Sequence, residues 1–234
     1  RCAEENRKRL RFEPDSIRAS SRAFAGIVRG IPGGSSNALR RARIVAWGHQ
    51  SFGANASHAQ AAIDAIVDRG SGYSASASVK TITANAFAFA ALTWQGEIVV
   101  WGDESKGGNN TLAALTLGSH AYVSIVSADS MRYDGKAFAA IRANRSGVVA
   151  WGDAAYGGAG IDAGLTIAGS STGGARIRGV AASAGAFAAW FYNGTVATWG
   201  HEDYGGTSPP KGLQSVGLVI GSADGFVALS NGST

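Results

Sequence analysis

Four titratable side chains stand directly after four Trp-Gly pairs: His49, Asp103, Asp153 and His201. Carboxylates and imidazoles are the groups that ligate metals and move protons near neutral pH. Two Asp and two His at one repeated position could ring a metal or a polar ligand. A metal, however, holds its ligands at about 2 Å. Equivalent positions on successive repeats stand a repeat's width apart and cannot share one ion. Side chains of this kind also cap turns by accepting from nearby backbone N–H groups, and capping is the expected role. Asp103-Glu104 and Glu202-Asp203 beside His201 do not make acid–base pairs, because chain neighbours point apart and catalysis needs convergence from different segments. His58 and His120 stand outside any metal-binding spacing. The glycine-rich runs 157–160 and 169–174 lack the Gly-Lys-Ser/Thr ending of a phosphate loop. Of the Asn-x-Ser/Thr sites, Asn193-Gly and Asn231-Gly read as turns. These residues point to no enzyme, no metal and no cofactor.

The elements that would carry these residues repeat. The pairs Trp47-Gly48, Trp101-Gly102, Trp151-Gly152 and Trp199-Gly200 follow at steps of 54, 50 and 48 residues. Such a period marks a repeat architecture, often a propeller. A second motif alternates with the first: an apolar residue, a small one two later, and Phe five after that. Its copies are Ile17-Ala19-Phe24, Ile82-Ala84-Phe89, Val180-Ala182-Phe187 and Val219-Gly221-Phe226. A further copy ends at Phe138, with an insertion around 131–136.

The link from Phe to Trp is 12 residues from Phe89, 13 from Phe138 and 12 from Phe187. Each link holds a turn at Gln95-Gly96, Ser146-Gly147 or Asn193-Gly194, so each is expected to be a β-hairpin. Val45/Trp47, Val99/Trp101 and Val149/Trp151 then share one strand face, which makes these Trp residues core rather than ligand platforms. The first link, from Phe24, runs 23 residues and reads as an expanded loop over 31–37. A second, glycine-bounded turn follows each Trp-Gly, with Phe52, Lys106, Tyr156 or Tyr204 at one offset. Ile63, Ile66 and Val67 lie at helical spacing, which predicts a short inserted helix over Ser57–Arg69 with Ser57 as its cap. A helical turn is expected over 111–117 and an extended connection over 208–212.

Composition sets the limits. The chain has 234 residues, 45% apolar and 16% charged, enough for one all-β domain or a short repeat array. Residues 1–43 hold 11 of the Lys/Arg against 4 Asp/Glu. The basic excess is therefore expected in an N-terminal flank over 1–16 and its neighbourhood, with the repeat domain over 17–234. Nucleic acid is not an expected partner, since a nucleic-acid binder spreads its basic residues over the folded surface. A single cysteine excludes an intrachain disulfide. It suits a cytosolic protein or a bacterial secreted or surface protein equally. No apolar run reaches the length of a membrane span. The first residues show no signal peptide, and the chain is expected to be a piece of a longer or processed protein whose address lies upstream.

The run from Val196 through Trp199-Gly200 to Gly206, then 210–216 and 221–232, resembles one unit of the regulator of chromosome condensation repeat family. It is most similar to the bacterial members with tandem Val-Val-Ala-Trp-Gly units. The resemblance covers roughly 17–234, about four and a half units. It implies a β-propeller with four-stranded blades; the family's usual ring has seven. The founder of the family binds chromatin and exchanges nucleotide on a small GTPase. No segment here matches its GTPase-contacting wedge, so no functional residue carries over.

The reading is an all-β propeller, or an arc of one, with four to five blades and one helical insertion. Its expected role is a non-enzymatic module presenting blade loops to a protein partner. Two alternatives are an exchange factor acting on a small GTPase and a carbohydrate-binding surface adhesin. Self-association through unpaired blade edges is a further partner expectation. The candidate contact residues are His49, Asp103, Asp153, His201, Tyr156 and Tyr204, with the aromatic run Trp190, Phe191 and Tyr192 at a hairpin tip.

Overall fold

Period-two apolar alternation broken by glycine turns produces short antiparallel sheets. The computed structural model describes residues 11–13, 15–29, 42–69, 79–109, 121–128, 135–159, 176–207, 209–210 and 212–230. The first sheet holds β1 (Arg11–Phe12), β2 (Arg18–Ala19), β3 (Ala23–Arg29) and β4 (Arg43–Gly48). Both β1 and β2 pair with β3, as does β4. The second is β5 (Val79–Ala84), β6 (Ala88–Thr93) and β7 (Ile98–Gly102). The third is β8 (Tyr122–Ala128), β9 (Ala137–Arg142) and β10 (Val148–Gly152). The fourth is β11 (Ile177–Ala182), β12 (Ala186–Phe191) and β13 (Val196–Gly200). The fifth pairs β14 (Val216–Gly221) with β15 (Phe226–Ser230).

Every expected Phe-to-Trp hairpin forms, and each pairs its two aromatics across the ladder. Phe24 faces Trp47, Phe89 faces Trp101, Phe138 faces Trp151 and Phe187 faces Trp199. The rings stack at 5.6, 5.3, 5.4 and 5.4 Å between centroids. The indole also joins one sheet to the one before it. Trp101 Nε1 donates to the Gly53 carbonyl at 3.0 Å, Trp151 Nε1 to Gly107 at 3.2 Å and Trp199 Nε1 to Gly157 at 3.2 Å.

The glycine at that joint has no substitute. Gly53, Gly107, Gly157 and Gly205 take φ of +97°, +100°, +86° and +88°. A Cβ on Gly107 would meet Phe138 Cδ2 at 2.8 Å, and one on Gly53 would meet Phe89 at 2.6 Å. Backbone sign and packing therefore both demand glycine. Alanines at 88, 90, 137, 139, 140, 186, 188 and 189 fill the tight space between sheets, and all are buried.

The sheets pack in sequence order, and among the described residues the first and fifth sheets each leave an apolar face exposed. Trp101, Trp151 and Trp199 are 4%, 2% and 9% exposed, but Trp47 is 41% exposed. The core role expected for all four Trp thus holds for three; Trp47, in the first described sheet, stays exposed. Phe12, Ile17 and Phe24 share that exposure, and Leu218, Ile220, Val227 and Leu229 are exposed on the fifth sheet. No strand of the fifth sheet pairs with the first among the described residues.

Helix α1 (Ser57–Arg69) forms over the expected span and buries Ala59, Ile63 and Ile66 against the first and second sheets. Its start differs from expectation. Ser57 is the first helical residue rather than the cap, and its backbone N–H donates to Asn55 Oδ1 at 3.0 Å. The second to fourth sheets show three strands each among the described residues; the resemblance implied four. The expected loop over 31–37, the helical turn over 111–117 and most of the insertion at 131–136 lie outside the described residues.

Candidate functional site

Two rims result from this pairing. One carries the turns between the first and second strands of each sheet and the turns after Trp-Gly; we term it the turn rim. The opposite one carries the hairpins between second and third strands, the hairpin rim.

On the turn rim each post-Trp-Gly segment is one 3-10 turn: Gln50–Phe52, Glu104–Lys106, Ala154–Tyr156 and Glu202–Tyr204. The residue before it caps it, as the sequence suggested. Asp103 Oδ1 accepts from Ser105 N at 2.9 Å, Asp153 Oδ1 from Ala155 N at 3.0 Å and His201 Nδ1 from Asp203 N at 3.3 Å. His49 makes no side-chain cap. It packs edge-on against Phe52 at 5.2 Å.

In the first, second and fourth sheets a small polar residue directly after the strand fixes the turn, a role that sequence reasoning missed. Ser20, Asn85 and Ser183 accept the backbone N–H of Ala23, Ala88 and Ala186 at 3.0, 2.8 and 3.1 Å. Each also donates to the carbonyl of the aromatic-position residue: Phe52 at 3.0 Å, Lys106 at 2.8 Å and Tyr204 at 2.8 Å. The signal was a Ser or Asn directly after an apolar strand and three residues before the next one. The backbone turns also link to each other, with Ser21 N donating to Ala86 O at 2.9 Å and Ala86 N to Gly135 O at 3.1 Å.

Fixed turns bring the candidate side chains of different sheets together. Lys106 Nζ reaches Asp153 Oδ2 of the next sheet at 2.7 Å. Burial raises the Asp153 carboxyl, but the hydrogen bonds from Lys106 and Ala155 and the charges of Lys106 and Lys136 outweigh it. Its pKa therefore lies below the ordinary 3.8. Lys136 Nζ sits 4.5 Å from the Tyr156 ring centre, a cation–π contact. Tyr156 lies 5.7 Å from His201 and 6.3 Å from Tyr204, and His201 lies 5.3 Å from Tyr204. Gly185 makes room here, since a Cβ on it would meet Tyr204 at 2.5 Å and Tyr156 at 3.0 Å. At the other end Phe52 stacks on Phe87 at 5.4 Å, with the Arg22 guanidinium 5.2 Å above its ring.

Alternation along the strand separates the second candidate group. Phe191 is buried, Trp190 is half-buried against Gly179, and Tyr192 is 61% exposed on the hairpin rim.

His201 Nδ1 stands 3.8 Å from Asp203 Oδ2, its neighbour in the same 3-10 turn. Among the described residues no group of three His, Cys, Asp or Glu converges on one point. A cavity of about 530 Å³ opens between β4 and α1, away from the rim. Gln60, which lines it, is spent on structure: its Oε1 accepts from Ile44 N at 2.7 Å and its Nε2 donates to Asp64 at 3.0 Å. The run Gly169-Ser170-Ser171-Thr172-Gly173 spells the Gly-x-Ser-x-Gly pattern of a nucleophile elbow, which needs a strand before it and a helix after. It lies outside the described residues.

Repeated three-stranded sheets, joined in order by an indole and a glycine, decide the architecture. The fold is that of a β-propeller. Among solved structures the chain is similar to the CRINKLY WD40 ectodomain of the Arabidopsis thaliana receptor kinase ACR4, at TM-score 0.50 and 13% identity over 93% of this chain. It is also similar to the ectodomain of the Physcomitrella patens receptor kinase CR4, at TM-score 0.49 and 16% identity over 91% of this chain. A third likeness is to yeast RCC1 (Prp20), solved bound to Kap60, at TM-score 0.45 and 13% identity over 99% of this chain. This propeller spans 61%, 45% and 57% of those chains. At these identities the likeness concerns the fold alone. No family model matches the sequence. No curated protein matches it either. No described helix of the propeller is long and apolar enough to cross a membrane.

Proposed function

We propose that this propeller is a non-enzymatic interaction module that engages a protein partner through its turn rim. One observation carries the reading. In the second to fourth sheets the recurring Phe and Trp side chains are buried in joints between sheets, whereas side chains that differ from repeat to repeat touch across sheets on the turn rim. Tyr156, His201 and Tyr204 form one accessible aromatic group flanked by Lys136, and the Lys106–Asp153 pair continues it. Tyr and His present flat apolar area at small entropic cost, and a charged margin adds orientation, which is the make-up of a protein-contact patch.

The narrower assignment, to bacterial units of the regulator of chromosome condensation repeat, rests on the Val196–Gly206 run and its sequel. The exchange-factor and glycan readings rest on no geometry seen in the rim.

Photo-crosslinking residues placed at Tyr156 and Tyr204 test the proposal, with Asn144 on the opposite rim as control. The expected result is one protein adduct from both rim positions, absent from Asn144 and weakened by His201→Ala. Adducts of equal yield from all three positions, or none, refute it.

A further inference from the structure

Folding sorts the charges of the repeat domain between the two rims. Asp103, Glu104, Asp153, Glu202 and Asp203 stand on the turn rim, with Lys106 and Lys136 among them. The hairpin rim of the second to fourth sheets collects Lys80, Arg145, Arg176 and Arg178. Across its three hairpins, at 94–97, 143–147 and 192–195, Glu97 is the one acidic residue.

The same rim carries two exposed aromatic rings. Trp94 is 58% and Tyr192 61% exposed. Each has a cation beside it from the neighbouring strand. Lys80 Nζ lies 5.7 Å from the Trp94 ring centre, and Arg178 Cζ lies 6.0 Å from that of Tyr192. The two pairs occupy matching places in the second and fourth sheets.

Hydrogen bonds to backbone carbonyls tie these parts into one row. Lys80 Nζ donates to the Val123 carbonyl of the third sheet at 3.3 Å. Arg145, in the third sheet's hairpin, donates to the Ile177 and Arg178 carbonyls of the fourth at 3.2 and 3.0 Å. Tyr192 N donates to the Arg176 carbonyl at 3.0 Å. The row runs from Trp94 to Tyr192 across three sheets, with cations between the rings.

We propose that the hairpin rim binds single-stranded nucleic acid. Phosphates would lie along Lys80, Arg145 and Arg178, and unpaired bases would stack on Trp94 and Tyr192. Cations that track a backbone, joined to open aromatic faces, are the two components of sequence-tolerant strand binding. A duplex hides the base faces that these rings would meet. An acidic peptide would use the cations and leave the rings unemployed. Of the basic residues outside the N-terminal segment, Lys80, Arg145, Arg176 and Arg178 come from separate stretches of sequence and share this edge, whereas Lys106 and Lys136 stand on the other rim. This inference concerns the rim opposite to the proposed protein contact and stands apart from it.

Fluorescence anisotropy of labelled oligo-dT with the full chain is the test. Three to four phosphate contacts predict a salt slope of about −2 to −3. Trp94→Ala and Tyr192→Ala should each weaken binding roughly 5- to 50-fold and leave the slope unchanged. Lys80→Gln or Arg178→Gln should flatten the slope by about 0.7. These four side chains are exposed, so far-ultraviolet circular dichroism should show intact folds. Tyr204→Ala, on the far rim, should bind like the parent. The proposal is overturned if oligo-dT does not bind at low salt. It is equally overturned if the two ring deletions leave affinity unchanged, as binding through the basic N-terminal residues would do. Equal competition by poly-Glu with the ring deletions silent would assign the rim to acidic polypeptides instead.

Discussion

Trp151→Phe removes the joint between the second and third sheets while keeping an aromatic ring in place. Two losses add. The indole N–H no longer donates to the Gly107 carbonyl, and that buried acceptor is left unpaired. A buried hydrogen bond of this kind contributes about 1–1.5 kcal/mol. The smaller ring also leaves unfilled space at a site only 2% exposed. Roughly 40 Å² of lost apolar contact adds about 1 kcal/mol. The expected cost is therefore about 2–3 kcal/mol, or roughly 5–10 °C in Tm for a domain of this size. Trp47→Phe is the matched control. It has the same motif and the same stacked Phe, but Trp47 is 41% exposed. Its expected cost is below about 0.7 kcal/mol. Urea unfolding of both variants, followed by circular dichroism with m-values compared, measures the difference. Equal costs at the two sites would refute the claim that the indole works by bridging sheets.

Gly157→Ala should destabilise by about 1–3 kcal/mol, because alanine meets Phe187 in a left-handed backbone; Gly212→Ala, also at positive φ but with open space around it, should cost less in the same urea assay. Ser183→Ala should cost about 1–2 kcal/mol by stripping the hydroxyl that ties Ala186 to Tyr204, and amide exchange should quicken over 202–206 before the strands respond. Lys106→Met tests the cross-sheet ion pair. Because the folded pKa of Asp153 is depressed, its contribution is complete above the ordinary 3.8 and is lost as pH falls through the lower folded value. The variant should therefore lose about 0.5–1 kcal/mol near neutral pH, and its deficit should vanish in strong acid; a deficit unchanged by pH would contradict the pairing.

The Phe-to-Trp hairpins and the inserted helix were legible in the chain, whereas the pairing of β1 with β3 was not. Phe and Trp at fixed separation around a Gly turn leave only one antiparallel register that puts both on the same face. Capping of the turns by Asp103 and Asp153 was equally local, because an Asx turn involves residues two apart. What joined the repeats was not legible. The partner of the Trp151 indole is 44 residues away, and no local pattern announces which carbonyl it takes.

The same division holds for the candidate surfaces. The sequence by itself determined the Phe-to-Trp hairpin strands, the turns and the strand face that Phe and Trp share, since alternation and glycine placement act over a few residues. Only the tertiary structure decided that Tyr156, His201 and Tyr204 meet and that Lys80, Arg145 and Arg178 line one rim. Stacking sheets in order turns a spacing of some 50 residues into adjacency, and adjacency between repeats depends on packing that no single repeat encodes.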